Sequence, residues 1–322
     1  MSLTAELSNP RSPVSHFLSE YLPGRDMHAA YHHAVRSRLR TTIRPPEILG
    51  NTPWTVLGTA IDLRIRMWLG ATDHPAIREG VTFLRTASAF DAAAPAFTER
   101  RRYQANAAAA GDLLLGRMAH YASAPQPLPV HQEDDAARLS IVAARYDAIF
   151  RTAPINGATR AVSHFTRVPV PDEPEAALRT FTAEVPRTHA DDIRHQIIAA
   201  TTALADLKGK PLTCAPTFAG SGHVGHAEGD FIAGGVLVDV KSTITPDLRP
   251  AKARKWFHQL AGYLLLDYTD AHEISAVGIY LTRQATLLTW SVQDFLRLMG
   301  ARTPLDALRA RLKNALAPSL VA

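Results

Sequence analysis

With 322 residues, 46% of them hydrophobic and 20% charged, the chain is long enough to bury one large core or two modest ones, and this balance excludes wholesale disorder. No uninterrupted apolar run approaches the ~20 residues of a membrane-spanning helix, and a net charge of +5 permits a phosphate-rich partner without requiring one. A single cysteine, Cys214, excludes an internal disulfide and a cysteine-ligated zinc or iron–sulfur cluster; together with an N-terminus lacking the pattern of a signal peptide, this predicts a cytoplasmic protein with no membrane partner.

From about residue 13 to 205 apolar residues recur at intervals of three and four, alanine is frequent, and helix starts are marked by Thr52 before Pro53 and by Asp73, so this stretch reads as a helical body. Proline-rich breaks at 122–134 and 167–175 read as exposed connectors. From about 211 glycine-punctuated strands are expected in PTFAGSGHVG, EGDFI and VLVDVKST. A helix with one apolar face follows in AKARKWFHQLAGYLLLDY, then a hairpin of AVGIYLT and TLLTWSV turning across Arg283 to Ala285, then helices at 292–299 and 304–316. The expected class is α/β of the α+β kind: a small mixed sheet flanked by helices, with a large helical N-terminal portion.

The segment GDFIAGGVLVDVKS, 229–242, holds the charges that a core hairpin must explain. Alternation puts Asp239 and Lys241 on one face, and if Ala233 to Val236 form a four-residue loop, Asp230 falls opposite Asp239 with β-carbons ~5 Å apart. A three-residue loop would misalign them without a bulge at Gly234 or Gly235. Two carboxylates with a lysine make a set suited to phosphodiester hydrolysis. Hard oxygen donors take Mg²⁺ or Mn²⁺, with the Val240 carbonyl as a further ligand, and the ammonium group places the attacking water or stabilises the transition state. An acid-x-Lys triplet alone means little, since Asp206-Leu207-Lys208 is another, but it ends a helical run and has no partner strand.

The order Asp230, then Asp239 and Lys241, then Gln259 and Tyr263 in HQLAGY resembles the PD-(D/E)xK nuclease superfamily, specifically its RecB-like branch with a QxxxY motif and a group of uncharacterised bacterial proteins within it. The resemblance implies a restriction-endonuclease-like core at 206–295, a metal-dependent deoxyribonuclease, and a Gln/Tyr pair beside the metal site. It also implies an upstream helix, at 51–70, in which a glycine is followed after three residues by a His or Glu that completes the site; the match is GTAID, Gly58 to Asp62, with Asp62 in place of the usual residue, or else Asp62 pairs with Arg66 one turn on. On that reading 1–50 is an N-terminal helical segment, 71–205 a helical insertion and 296–322 C-terminal helices. Lys252, Arg254 and Lys255 are expected to track the DNA backbone, and end processing in repair or phage defence is the expected setting. No nucleotide-binding loop G-x-x-x-x-G-K-[ST] occurs, so a helicase or defence-system protein would be a separate partner. Two other readings compete: a nuclease-like fold that no longer cleaves and serves as a DNA-binding or assembly module, and a zinc hydrolase built on His223 and His226 with His258 nearby.

Overall fold

The computed structural model describes residues 3–39, 41–45, 53–90, 98–156, 170–246 and 249–317. It is a mixed α/β protein of two compact units, Met1–Thr42 with Asp206–Ala322, and Ile43–Ala205. No helix among the described residues is long and apolar enough to cross a membrane.

The first unit carries α1 (Leu3–Ser8), α2 (Pro13–Tyr21), α3 (Arg25–Arg38), β1 (Leu212–Cys214), β2 (Phe231–Ala233), β3 (Val236–Lys241), α10 (Pro250–Leu266), β4 (Ala276–Leu281), β5 (Thr286–Ser291), α11 (Val292–Met299) and α12 (Leu305–Leu316). Its sheet has the order β1-β2-β3-β4-β5 and is antiparallel except where β3 and β4 run parallel, joined by the crossover helix α10. The valines of β3 suit a pleated, buried surface. Leu237 of β3 and Val277, Ile279 and Leu281 of β4 meet Phe257, Leu260 and Leu264 of α10 in one core. Phe17, Leu18 and Tyr31 of the N-terminal helices and Phe295, Met299 and Leu308 of the C-terminal ones close that core, so 1–42 is part of the sheet unit. Gly262 permits the approach of α1 to α10, because a Cβ there would lie 2.8 Å from Leu3 Cδ2.

The β4–β5 hairpin turns where expected, through the 3-10 turn Thr282–Gln284 and Ala285 in the left-handed region. PTFAGSGHVG is not a strand. It forms a loop with one isolated bridge, Thr217 to Glu228, and a 3-10 turn at Ser221–Val224. Local hydrogen bonding wins over β-propensity here: Ser221 Oγ accepts from Phe218 N–H at 2.8 Å and donates to Ala227 O at 2.6 Å. Asp206 and Leu207 likewise lie in a 3-10 turn, off the sheet.

The second unit comprises α4 (Trp54–Leu69), α5 (Pro75–Phe90), α6 (Thr98–Ser123), α7 (Val130–Asn156), α8 (Pro174–Ala183) and α9 (Arg187–Ala203), whereas the start of the stretch read as a helical body, from about 13 to 42, belongs to the sheet unit. Thr52 and residues 167–169 of the second connector lie outside the described residues. Glycines set two close helix approaches: a Cβ on Gly80 would lie 2.1 Å from Tyr146 O, and one on Gly111 2.4 Å from Val81 Cγ2. The helix at 51–70, expected as the first of a nuclease core, is α4, and it packs on α6, α7 and α9 in this unit.

His74 precedes α5, is 2% exposed, and neither ring nitrogen has a hydrogen-bond partner among the described residues. Burial, then the neighbouring Arg66, hold its pKa down at about 4. The unfolded chain, with an ordinary histidine, takes up a proton as pH falls below about 6.5 while the folded one does not, so stability falls over that window. We expect a loss of roughly 2 kcal/mol between pH 7.5 and 5 from this residue. Urea unfolding at the two pH values, with His74→Leu removing that part of the difference, checks it.

Candidate active site

The site begins with a turn. Gly234 and Gly235 have φ of 56° and 78°, the pair of left-handed residues that a two-residue hairpin turn requires. Ala233 therefore pairs with Val236, Ile232 with Leu237 and Phe231 with Val238, and the same register carried one residue further sets Asp230 against Asp239. The four-residue loop expected from sequence is thus tightened to two by its glycines, with the register unchanged.

Along β3, Leu237, Asp239 and Lys241 alternate onto the face that carries the core, and the polar members come last. They stand at the carboxyl end of a strand parallel to its neighbour and just before a crossover helix, the position where open α/β sheets place their ligands. Asp239 is 1% exposed, and burial pushes its pKa up to about 6, with Lys241 pulling it down and Asp230 adding to the rise. Lys241 Nζ lies 2.6 Å from Asp239 Oδ2, so this buried oxygen is ion-paired with the ammonium group. Asp230 is half-buried, and its Oδ2 accepts the Val240 backbone N–H at 2.6 Å.

Helix α10 supplies the rest. Lys241 Nζ donates to Gln259 Oε1 at 3.0 Å, and Gln259 Nε2 donates to Tyr263 OH at 2.9 Å. Spacing of four places Gln259 and Tyr263 on one helix face, and the Tyr263 ring stacks on Phe218 with centroids 5.5 Å apart. The carboxamide therefore has its oxygen turned to the ammonium and its nitrogen to the phenol. Lys252, Arg254 and Lys255 are exposed in the first turns of the same helix. One neighbour escaped sequence reasoning, where it counted only as part of an apolar face: Trp256, whose ring centroid lies 5.7 Å from Lys241 Nζ and 5.9 Å from Lys252 Nζ.

A buried and a half-buried carboxylate at facing positions offer the hard oxygen donors that suit a divalent cation such as Mg²⁺ or Mn²⁺. Asp62 has a different partner: Arg66 Nε donates to its Oδ1 at 3.0 Å, a second guanidinium nitrogen contacts Oδ2, and both side chains are buried within the helical unit. This is the i,i+4 pairing that the sequence offers as the alternative to a metal-ligand role for Asp62. No cluster of three or more His, Cys, Asp or Glu side chains suited to a metal occurs among the described residues. The histidines of the zinc alternative go to separate partners: His223 Nδ1 to Tyr268 OH at 3.2 Å, His226 Nε2 to Glu228 Oε2 at 3.4 Å, and the buried His258 to Leu22 O at 2.9 Å. Comparison with protein families, with curated proteins and with solved structures returns no match for this chain.

Proposed function

We propose that the protein is a Mg²⁺- or Mn²⁺-dependent nuclease of the PD-(D/E)xK type, RecB-like, that hydrolyses DNA phosphodiester bonds. The observation that carries this reading is the opposition of Asp230 and Asp239 across a two-glycine hairpin, with Lys241 ion-paired to Asp239 and itself held by Gln259. The antiparallel run β1–β2–β3 followed by a helical crossover to β4 is consistent with the core that the resemblance implies.

Asp230 and Asp239 would hold the cation. When bound, it supplies positive charge to the phosphoryl oxygens and lowers the pKa of a water. Lys241 offers an ammonium group in a water-poor setting, where it stabilises the negative charge that builds up at phosphorus. Gln259 fixes its direction and Tyr263 fixes that of Gln259. Lys252, Arg254 and Lys255 hold the backbone. End processing, in repair or phage defence, is the setting we favour.

The test is incubation with linear and circular DNA, single- and double-stranded, in Mg²⁺, Mn²⁺ or EDTA. Cleavage with either metal that EDTA abolishes is the expected result. Activity undiminished by EDTA excludes the mechanism, and binding without cleavage under every condition leaves the DNA-binding or assembly module.

A further inference from the structure

We propose that Trp256 is a positioning residue that holds Lys241 in the reaction centre and ties it to Lys252, so that the site acts on a polynucleotide whose backbone continues past the scissile bond. This rests on the nuclease reading above.

Lys241 has three holders: the Asp239 carboxylate at 2.6 Å, the Gln259 carboxamide oxygen at 3.0 Å and the Trp256 ring at 5.7 Å from its centroid. The first is also the group that would be committed to a cation. Once its charge is shared with a metal, its pull on the ammonium weakens, and the neutral holders, Gln259 and Trp256, keep Lys241 in place. An indole face attracts an ammonium through its quadrupole without competing for the metal, which a further carboxylate would do.

The ring is itself fixed. Tyr31, fully buried, meets Trp256 edge-on with centroids 6.4 Å apart at 89°, and donates its hydroxyl to Pro246 O at 2.8 Å in the segment that follows Lys241. The indole is only partly buried, and Lys252, one helical turn earlier, lies over the same ring at 5.9 Å. Two ammonium groups each under 6 Å from one centroid are no more than about 12 Å apart, a span that a single nucleic-acid strand meets with neighbouring phosphates. Lys252 is exposed, so a cation–π contact adds little to folding there; its effect is to fix where the second positive charge stands.

The experiment uses the full chain and two substrates, a labelled single-stranded oligonucleotide and bis(p-nitrophenyl) phosphate, with Trp256→Leu, Trp256→Phe and Lys252→Ala. Trp256→Leu should lower kcat on both substrates by about five- to thirtyfold, and Trp256→Phe, which keeps a ring, should recover part of that. Lys252→Ala should raise KM for the oligonucleotide more than for the small diester. A readout that needs no turnover is the NMR of lysine labelled at Cε: among the chain's six lysines, the signal of Lys241 should lose its ring-current shift in Trp256→Leu. Wild-type kcat in Trp256→Leu, or an unmoved Lys241 signal, overturns the proposal. If the wild type cleaves neither substrate, the nuclease reading falls and the NMR result alone decides the placement of Lys241 by Trp256.

Discussion

Asp239→Asn is expected to abolish metal-dependent cleavage while leaving folding and DNA binding intact. The loss should reach at least the ~10² to 10³ that follows removal of one electrostatic stabiliser from an active site, because the amide keeps the shape of the side chain and loses the charge that a cation needs. The same substitution should not harm stability. A carboxylate 1% exposed, beside a second carboxylate, is held against a desolvation cost that raises its pKa to about 6, and a neutral amide avoids that cost. Thermal unfolding should therefore show a midpoint equal to or above the wild type's, and cleavage assayed on the same sample should be absent. A variant that loses activity only because it unfolds would count against a catalytic role for Asp239.

The largest stability effect is expected in the helical unit, at Glu133. Arg64 of α4 donates from Nε to Glu133 Oε1 at 2.7 Å and from Nη2 to Oε2 at 2.5 Å, with both side chains buried. Taking two charges out of water is costly, and the pair survives because its two-pronged geometry and mutual attraction offset that cost. Glu133→Ala leaves the guanidinium buried with Gln126 Oε1, at 3.4 Å, as its remaining side-chain acceptor among the described residues. The expected destabilisation is about 3 to 5 kcal/mol, read from urea unfolding. The double variant Arg64→Met with Glu133→Leu should recover most of it, since removing both charges removes the unpaired one; a double variant as unstable as Glu133→Ala would mean that packing, not charge, is responsible.

What the sequence made legible was whatever depends on local periodicity. The opposition of Asp230 and Asp239 follows from a period of two on either side of two glycines, and the shared face of Gln259 and Tyr263 from a spacing of four. The turn length was missed because the two-glycine turn is two residues shorter than the expected loop and keeps the same parity. PTFAGSGHVG was misjudged because its apolar and glycine content resembles a strand, whereas a serine side chain closes the loop. Long-range partners were out of reach. Trp256 meets Lys241 across a strand and a helix, Glu133 lies 69 residues from Arg64, and Tyr31 reaches Pro246 across 215 residues, none of which a spacing rule detects. Arg66 as the partner of Asp62 was legible as an i,i+4 pair, but its burial was not.

The split of the sheet unit into Met1–Thr42 and Asp206–Ala322 sets a timetable for synthesis. The first three helices leave the ribosome long before the strands and α10 against which Phe17, Leu18 and Tyr31 pack. At ~5 to 20 residues per second, translating the intervening helical unit takes roughly ten to thirty seconds, far longer than a helical domain needs to fold. The nascent chain thus carries a finished helical unit behind an N-terminal segment whose apolar side chains still await their core. The sheet unit is therefore the last part of the molecule to assemble.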